Sequence, residues 1–260
     1  MSKLVGSVTT GKRGVSGLKR ALAVLNFQVR HWSLGISIFW LVVASLTAWQ
    51  AYNVRRLLET SGMTEGGIDT IGVGILSVPW VLFFLGFTGF TTGFRFMQGL
   101  CVSRRPVFVG HLLALVSVAV IMVVVELAAA AFVRNRLLLP VAGLFERYYG
   151  FRPSPVLDFL WLAVFCIMLT LLAWFVSLLY CCGSATQRAL LYILPLLTFG
   201  WVISTPGGGT VSLAVGRTWI WFFGLIGPVP DPWGAVTNFT LTAVIMTGLC
   251  YLLVRRASVR

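Results

Sequence analysis

Residues 106–133 read PVFVGHLLALVSVAVIMVVVELAAAAFV, twenty-eight positions in which His111 and Glu126 are the only titratable side chains. A helix of that length rises about 42 Å at ~1.5 Å per residue, more than the ~30 Å hydrocarbon core of a bilayer. A soluble protein would not leave so long a run without polar relief, so this stretch predicts a membrane-spanning helix. Working outward, five further apolar stretches occupy residues 33–51, 71–94, 156–182, 189–205 and 235–254, separated by charges or by Gly/Pro clusters. Leu, Val, Ile, Ala and Phe dominate them, and strand-length segments of alternating polarity, the mark of an outer-membrane barrel, are absent. The expected fold is therefore all-α: a polytopic protein with six transmembrane helices.

Composition agrees. Of 260 residues, 58% are hydrophobic and 10% are charged, against roughly 25% charged in a soluble domain. Mean hydropathy is +0.93. These values exclude a soluble enzyme, a disordered chain and a nucleic-acid module. The 20 basic and 7 acidic residues give a net charge of +13, which in this setting bears on topology, because Lys and Arg bias loops toward the cytoplasm. With six spans, thirteen Lys/Arg fall on the side that holds both termini and seven on the other. Both ends are therefore expected in the cytoplasm, with the protein multi-pass in the plasma membrane. Residues 1–32 form a cytoplasmic N-terminus, 33–254 the transmembrane domain and 255–260 a cytoplasmic tail. No cleavable signal peptide is expected. Five cysteines, four of them in or beside apolar stretches, do not form a disulfide framework.

Two segments read as membrane-associated without crossing. Leu18, Leu22, Leu25, Val29 and Trp32 recur at alternating spacings of four and three, so they share one helical stripe. With Lys19 and Arg30 beside that stripe, an amphipathic helix lying among lipid headgroups is expected before the first span. The connection between the fifth and sixth spans opens with Pro206-Gly207-Gly208-Gly209 and closes with Gly227-Pro228-Val229-Pro230-Asp231-Pro232. Between these breakers, Val211 to Ile226 is too apolar for a water-exposed loop and short for a span, so it predicts a re-entrant hairpin. A seventh span is the alternative, and would move the C-terminus outside.

Catalytic patterns are lacking. Gly6-Ser7-Val8-Thr9-Thr10-Gly11-Lys12 begins like a phosphate-binding loop, but Arg13 follows and no hydrophobic strand precedes it. The histidines, His31 and His111, both fall near the cytoplasmic boundary, and Cys181-Cys182 has no neighbouring His. No enzyme activity, metal or cofactor is expected in this chain. Glu126 is the one carboxylate well inside an apolar run, and such residues are functional candidates by default. It lies twenty residues beyond Pro106, roughly 30 Å along the helix and so near the outer boundary. There it either pairs with a basic residue such as Arg134 or Arg217, or lines a substrate path at its external mouth. Asp158 opens the fourth span, where a carboxylate suits the helix dipole. Gly86, Gly89 and Gly93 provide small-residue spacing for close helix packing.

The bend between the second and third spans reads Phe94-Arg95-Phe96-Met97-Gln98-Gly99-Leu100-Cys101-Val102-Ser103-Arg104-Arg105-Pro106-Val107-Phe108. A Gly, a short apolar step, then Ser-Arg-Arg and a Phe opening the next helix resembles the type-2 permease family of ABC transporters. Six spans, an amphipathic elbow helix and a re-entrant hairpin before the last span resemble that family too. Pro106 departs from the polar residue more usual there, although Pro is tolerated at a helix start. The resemblance implies a coupling segment, with Arg95, Met97, Gln98, Cys101, Val102, Ser103, Arg104 and Arg105 docking on a nucleotide-binding ATPase subunit. It also implies a second permease subunit, identical or homologous, with ATP and Mg bound by the ATPase partner. Membrane lipids are further expected partners, and nucleic acid is not. The function implied is ATP-driven export by alternating access, and the lack of a charge at midplane suits a lipophilic or amphipathic cargo such as a peptide or drug. Alternatives are a membrane scaffold or accessory protein without transport activity, or a secondary transporter or channel.

Overall fold

The computed structural model describes residues 17–61, 78–88, 104–137, 143–182, 221–225 and 230–256. Among these residues there are six helices and no strand. In chain order they are α1 (Gly17–Ser61), α2 (Val78–Thr88), α3 (Arg104–Leu137), α4 (Leu144–Tyr149), α5 (Pro155–Cys182) and α6 (Pro232–Arg256). Four are long and apolar enough to cross a bilayer, over Ala21–Asn53, Arg105–Asn135, Pro155–Cys181 and Pro232–Arg255. The expected third, fourth and sixth spans lie inside α3, α5 and α6. Of the expected second span only α2 is described, and the fifth (189–205) lies outside the described residues.

The N-terminal part needs a correction. A headgroup helix ending at Trp32 and a separate span from Ser33 are expected, but α1 runs through both without interruption for 45 residues, about 68 Å. The junction contains no Pro, and the Ser33 hydroxyl donates to the Arg30 carbonyl at 2.8 Å, inside the helix. Nothing at that point breaks the ladder. The packed face overlaps the predicted stripe only in part: Trp32 is buried and Leu25 and Val29 are half-buried against the core, but Leu18 and Leu22 are exposed while Ala21, Val24 and Gln28 are buried. At Gly110 the two helices come too close for a large side chain, and Ala21 and Val24 meet α3 there. A Cβ on Gly110 would fall on the Ala21 carbonyl and within 2.7 Å of the Val24 side chain.

Ring contacts and small-residue contacts fix the helix directions. Trp32 meets His111 at 5.7 Å, and further along Trp40 Nε1 donates to Met122 Sδ at 3.0 Å, so α1 and α3 run parallel. Phe108, early in α3, stacks on Trp174, late in α5, at 5.2 Å and touches Tyr251, late in α6, at 5.3 Å. Trp161 and Phe165, early in α5, meet Phe239, early in α6. Hence α5 and α6 are parallel to each other and antiparallel to α3. α2 follows α5, with Gly86 set against the Thr170 carbonyl and Ala173. The start of α1 and the end of α6 therefore lie at one end of the bundle, here called the near end.

α5 is the axis of the packing. Trp161, Cys166, Ala173, Trp174 and Leu178 are fully buried on it, between α3 and α6. The outward faces tell the opposite story, with Leu34, Leu41 and Trp49 of α1 and Leu241, Val244 and Ile245 of α6 all exposed. Apolar faces of this extent are not left in water by a monomeric soluble protein, whereas a bilayer supplies their missing neighbours. Several hydroxyls on the spans are satisfied locally: Ser45, Thr170, Thr240 and Thr247 each donate to the carbonyl four residues earlier.

The glycine contacts separate tight from open positions. Gly86→Ala should lower stability by about 1–3 kcal/mol, the usual cost of overpacking, because the new methyl meets backbone that cannot yield. Gly35→Ala, at a position with nothing within 4 Å, should leave stability unchanged or raise it by about 0.5–1 kcal/mol. Thermal unfolding of the two variants in detergent checks the contrast.

Candidate functional site

The far end of the bundle, where α3 finishes and α5 and α6 begin, gathers the polar chemistry. It starts with α4, a short turn closed by Gly150 at φ 71°, a left-handed conformation that glycine adopts without steric cost. The Gly150 N–H donates to the Glu146 carbonyl at 2.9 Å. This closure lays Phe145 and Tyr149 edge-on to Trp161, with ring centroids 5.7 and 6.0 Å apart. The Tyr149 hydroxyl then makes two bonds: it donates to the Phe223 carbonyl at 2.7 Å and accepts from Trp161 Nε1 at 3.1 Å.

Residues 221–225 are held at this point from both sides. Asn238 Nδ2 donates to the Phe222 carbonyl at 3.3 Å. Phe223 stacks on Tyr148 at 4.9 Å and meets Phe239 at 5.4 Å. Gly224 takes φ 65° against the Asp231 carbonyl, and the Asp231 N–H donates to Gly224 O at 2.7 Å. Asp231 Oδ1 in turn accepts from the Trp233 N–H at 3.1 Å, capping α6. Carbonyls that have no helical partner are thus satisfied by side chains, as non-helical backbone near a membrane requires. Burial pushes the Tyr149 phenol up to about 12; the nearby Asp231 carboxylate adds to this, and the Trp161 bond opposes it.

Beside this cluster is a cavity of about 180 Å³ between α2, α3, α4 and α5. Five charged residues line it: Glu126, Arg134, Glu146, Arg152 and Asp158. Val78, Leu127 and Leu162 provide apolar wall. The chain has seven acidic residues in all, so a cavity that gathers three of them is an unusual concentration. Arg134 Nη2 and Glu146 Oε2 form an ion pair at 3.2 Å, each side chain about a third exposed (29% and 31%). Glu126 is 7% exposed, and its Oε2 has no hydrogen-bond partner among the described residues.

The sequence-predicted residues fall unevenly. Arg95, Met97, Gln98, Cys101, Val102 and Ser103 lie outside the described residues, Arg104 begins α3 and Arg105 is exposed on its first turn. Pro106 is accommodated there, since the first four N–H groups of a helix have no intrahelical acceptor. Arg134 is found on Glu146, and Arg217, the other expected partner of Glu126, lies outside the described residues. The hairpin expected over 206–233 is described only at 221–225 and from 230 onward. Sequence reasoning missed Glu146, Arg152 and Tyr149. The available signal was the spacing of three acids within residues 126–158 of a chain otherwise nearly free of them.

By helix length and hydropathy the chain is a multi-pass membrane protein. No protein-family model, curated protein or solved structure matches it.

Tyr149→Phe should leave both the Trp161 indole N–H and the Phe223 carbonyl without their buried partner, at about 1–3 kcal/mol each, visible as a lower unfolding temperature. In an ultraviolet titration the wild type should retain one phenol to about pH 12, and the variant should lose that component alone.

Proposed function

We propose that this chain is the membrane-embedded permease subunit of an ATP-driven exporter, working with a second permease and a separate nucleotide-binding ATPase. The observation that carries the proposal is the direction of the helices. α2 runs toward the near end and α3 starts there, at the end shared by the start of α1 and the finish of α6. Lys19, Arg30, Arg105 and Arg255 mark that end, while the acidic residues with described side chains, Glu126, Glu146, Asp158 and Asp231, lie toward the other. Among the described residues the charges at the near end are all basic, which supports its placement in the cytoplasm.

The parallel course of α5 and α6 supports the six-span reading, with a fifth span and a hairpin between them, over the seven-span one. In this scheme the ATPase binds ATP and Mg, and this chain performs no catalysis. Its part is mechanical: the arginine-bearing bend receives the motion of the motor and passes it to α2 and α3. Their contacts with α5 and α1 at Gly86 and Gly110 are close enough to transmit it without slack. The apolar faces and the charge-poor midplane support a lipophilic or amphipathic cargo.

Co-expression of the chain with an ATPase subunit should yield a complex that co-purifies in detergent. Replacing Arg104 and Arg105 together by Glu should cut co-purification and membrane-coupled ATP hydrolysis at least tenfold while leaving the insertion of the chain intact. Unchanged assembly and hydrolysis in that variant would refute the docking assignment, and labelling of Arg105→Cys only from the extracellular side would refute the topology.

A further inference from the structure

The cavity at the far end has a graded interior. At its mouth Arg134 is neutralised by Glu146, and Arg152 is exposed. Asp158 stands half-buried in the first turn of α5. Glu126 is nine-tenths buried, with one carboxylate oxygen lacking a hydrogen-bond partner among the described residues. Glu126 is eight residues, about 12 Å, closer than Arg134 to the middle of α3. A buried polar atom left unsatisfied is uncommon in folded proteins and calls for a specific reason, and a carboxylate within a membrane span is costly unless a cation meets it.

We propose that this cavity binds a zwitterionic headgroup. Its ammonium enters toward the Glu126 and Asp158 carboxylates, and the adjoining anionic group stays at the mouth on Arg152. The charges favour this ligand over simpler ones. With Arg134 and Glu146 paired, a bare cation would have to pass the Arg152 guanidinium at the entrance, and a plain anion would face the Glu126 and Asp158 carboxylates. A zwitterion satisfies both, and charge-assisted hydrogen bonds of ammonium to carboxylate are among the stronger ones. Size agrees as well, since a cavity of about 150 Å³ holds a benzene ring and this one, at about 180 Å³, takes a small headgroup but not an acyl chain. Val78, Leu127 and Leu162 receive the methylenes between the two charges. Such a ligand reaches the site either as a lipid from the adjacent leaflet or as a free solute. The site rests on the cavity itself and needs no motor subunit, so it stands or falls apart from the transport proposal.

Binding to the purified full-length chain in maltoside micelles tests it, by titration calorimetry with dihexanoyl phosphatidylethanolamine, dihexanoyl phosphatidylglycerol and free phosphoethanolamine. The ethanolamine lipid should bind at least tenfold more tightly than the glycerol lipid. Glu126→Gln and Asp158→Asn should each weaken it at least tenfold, and Arg30→Gln, at the opposite end, should not. Binding of free phosphoethanolamine as tight as that of the lipid assigns the site to a soluble zwitterion, and binding of the lipid alone assigns it to the leaflet; both uphold the site. Equal affinity for the two lipids, or wild-type affinity in both carboxylate variants, overturns it. Circular dichroism verifies folding, and Asp158→Asn, at a half-buried position, carries the test if Glu126→Gln does not fold.

Discussion

The layer these helices cross contains no water, so each polar atom inside it has to find its partner within the protein. That constraint explains most of the local detail. Ser and Thr hydroxyls on α1, α2, α5 and α6 turn back to carbonyls one helical turn earlier. The Trp40 indole N–H, facing an apolar neighbour, settles on the sulfur of Met122, a weak acceptor but the one within reach. At the far end the backbone leaves helical geometry at residues 223–225, and there Tyr149 and Asn238 supply the bonds the ladder no longer provides. Among the described residues Gln28 Oε1, Glu126 Oε2 and Ser177 Oγ are buried without a hydrogen-bond partner, and of these three Glu126 lines the cavity.

With lipid as the outer neighbour, apolar burial does not drive one span onto another, and close contact has to come from shape. The two tightest contacts in the bundle are made by glycines. Gly110 lets α1 settle on α3 at Ala21 and Val24, and Gly86 lets α2 settle on α5 at Thr170 and Ala173. Large rings then fill the wider spaces. His111 sits between Trp32 and Trp174, and Phe108 lies between Trp174 and Tyr251, tying α1, α3, α5 and α6 together near one end. Trp161, Phe165, Phe223 and Phe239 join α5 and α6 to residues 221–225 at the other. Aromatic clusters thus join α5 and α6 at both ends, and α1 and α3 to them at the near end.

Span positions were legible because hydrocarbon thickness imposes a length and a composition, both of which a sequence displays. The starts of α5 and α6 fall within three residues of the expected Val156 and Ala235, at Pro155 and Pro232, where proline stops a preceding loop and opens a helix. The continuity of α1 was not legible in the same way. A leucine stripe with flanking cations describes a helix that fits a headgroup layer, but it does not say that the helix stops. The stripe predicted only part of the packed face: Trp32 is buried and Leu25 and Val29 pack against the core, but Leu18 and Leu22 are exposed while Ala21, Val24 and Gln28 are buried. The charged cavity was hidden for a different reason. Glu146 and Arg152 lie in a connection, where charges are ordinary, and only the return of that connection over α5 brings them next to Glu126 and Asp158.

The two ends of the molecule consequently differ in kind. The near end carries exposed basic side chains on the helix termini, Lys19, Arg105 and Arg255, which suits contact with anionic headgroups or an acidic protein surface and asks for little internal structure. The far end carries acids and arginines turned toward one another, a tyrosine fixed by two hydrogen bonds and a capped turn. Ordering these groups costs conformational entropy, and a connection serving only to join two spans has no need of it. Glu126 lines the cavity there, and its Oε2 has no hydrogen-bond partner among the described residues. The two ends therefore differ in where their charges point: outward at the near end, on Lys19, Arg105 and Arg255, and toward one another around the cavity at the far end.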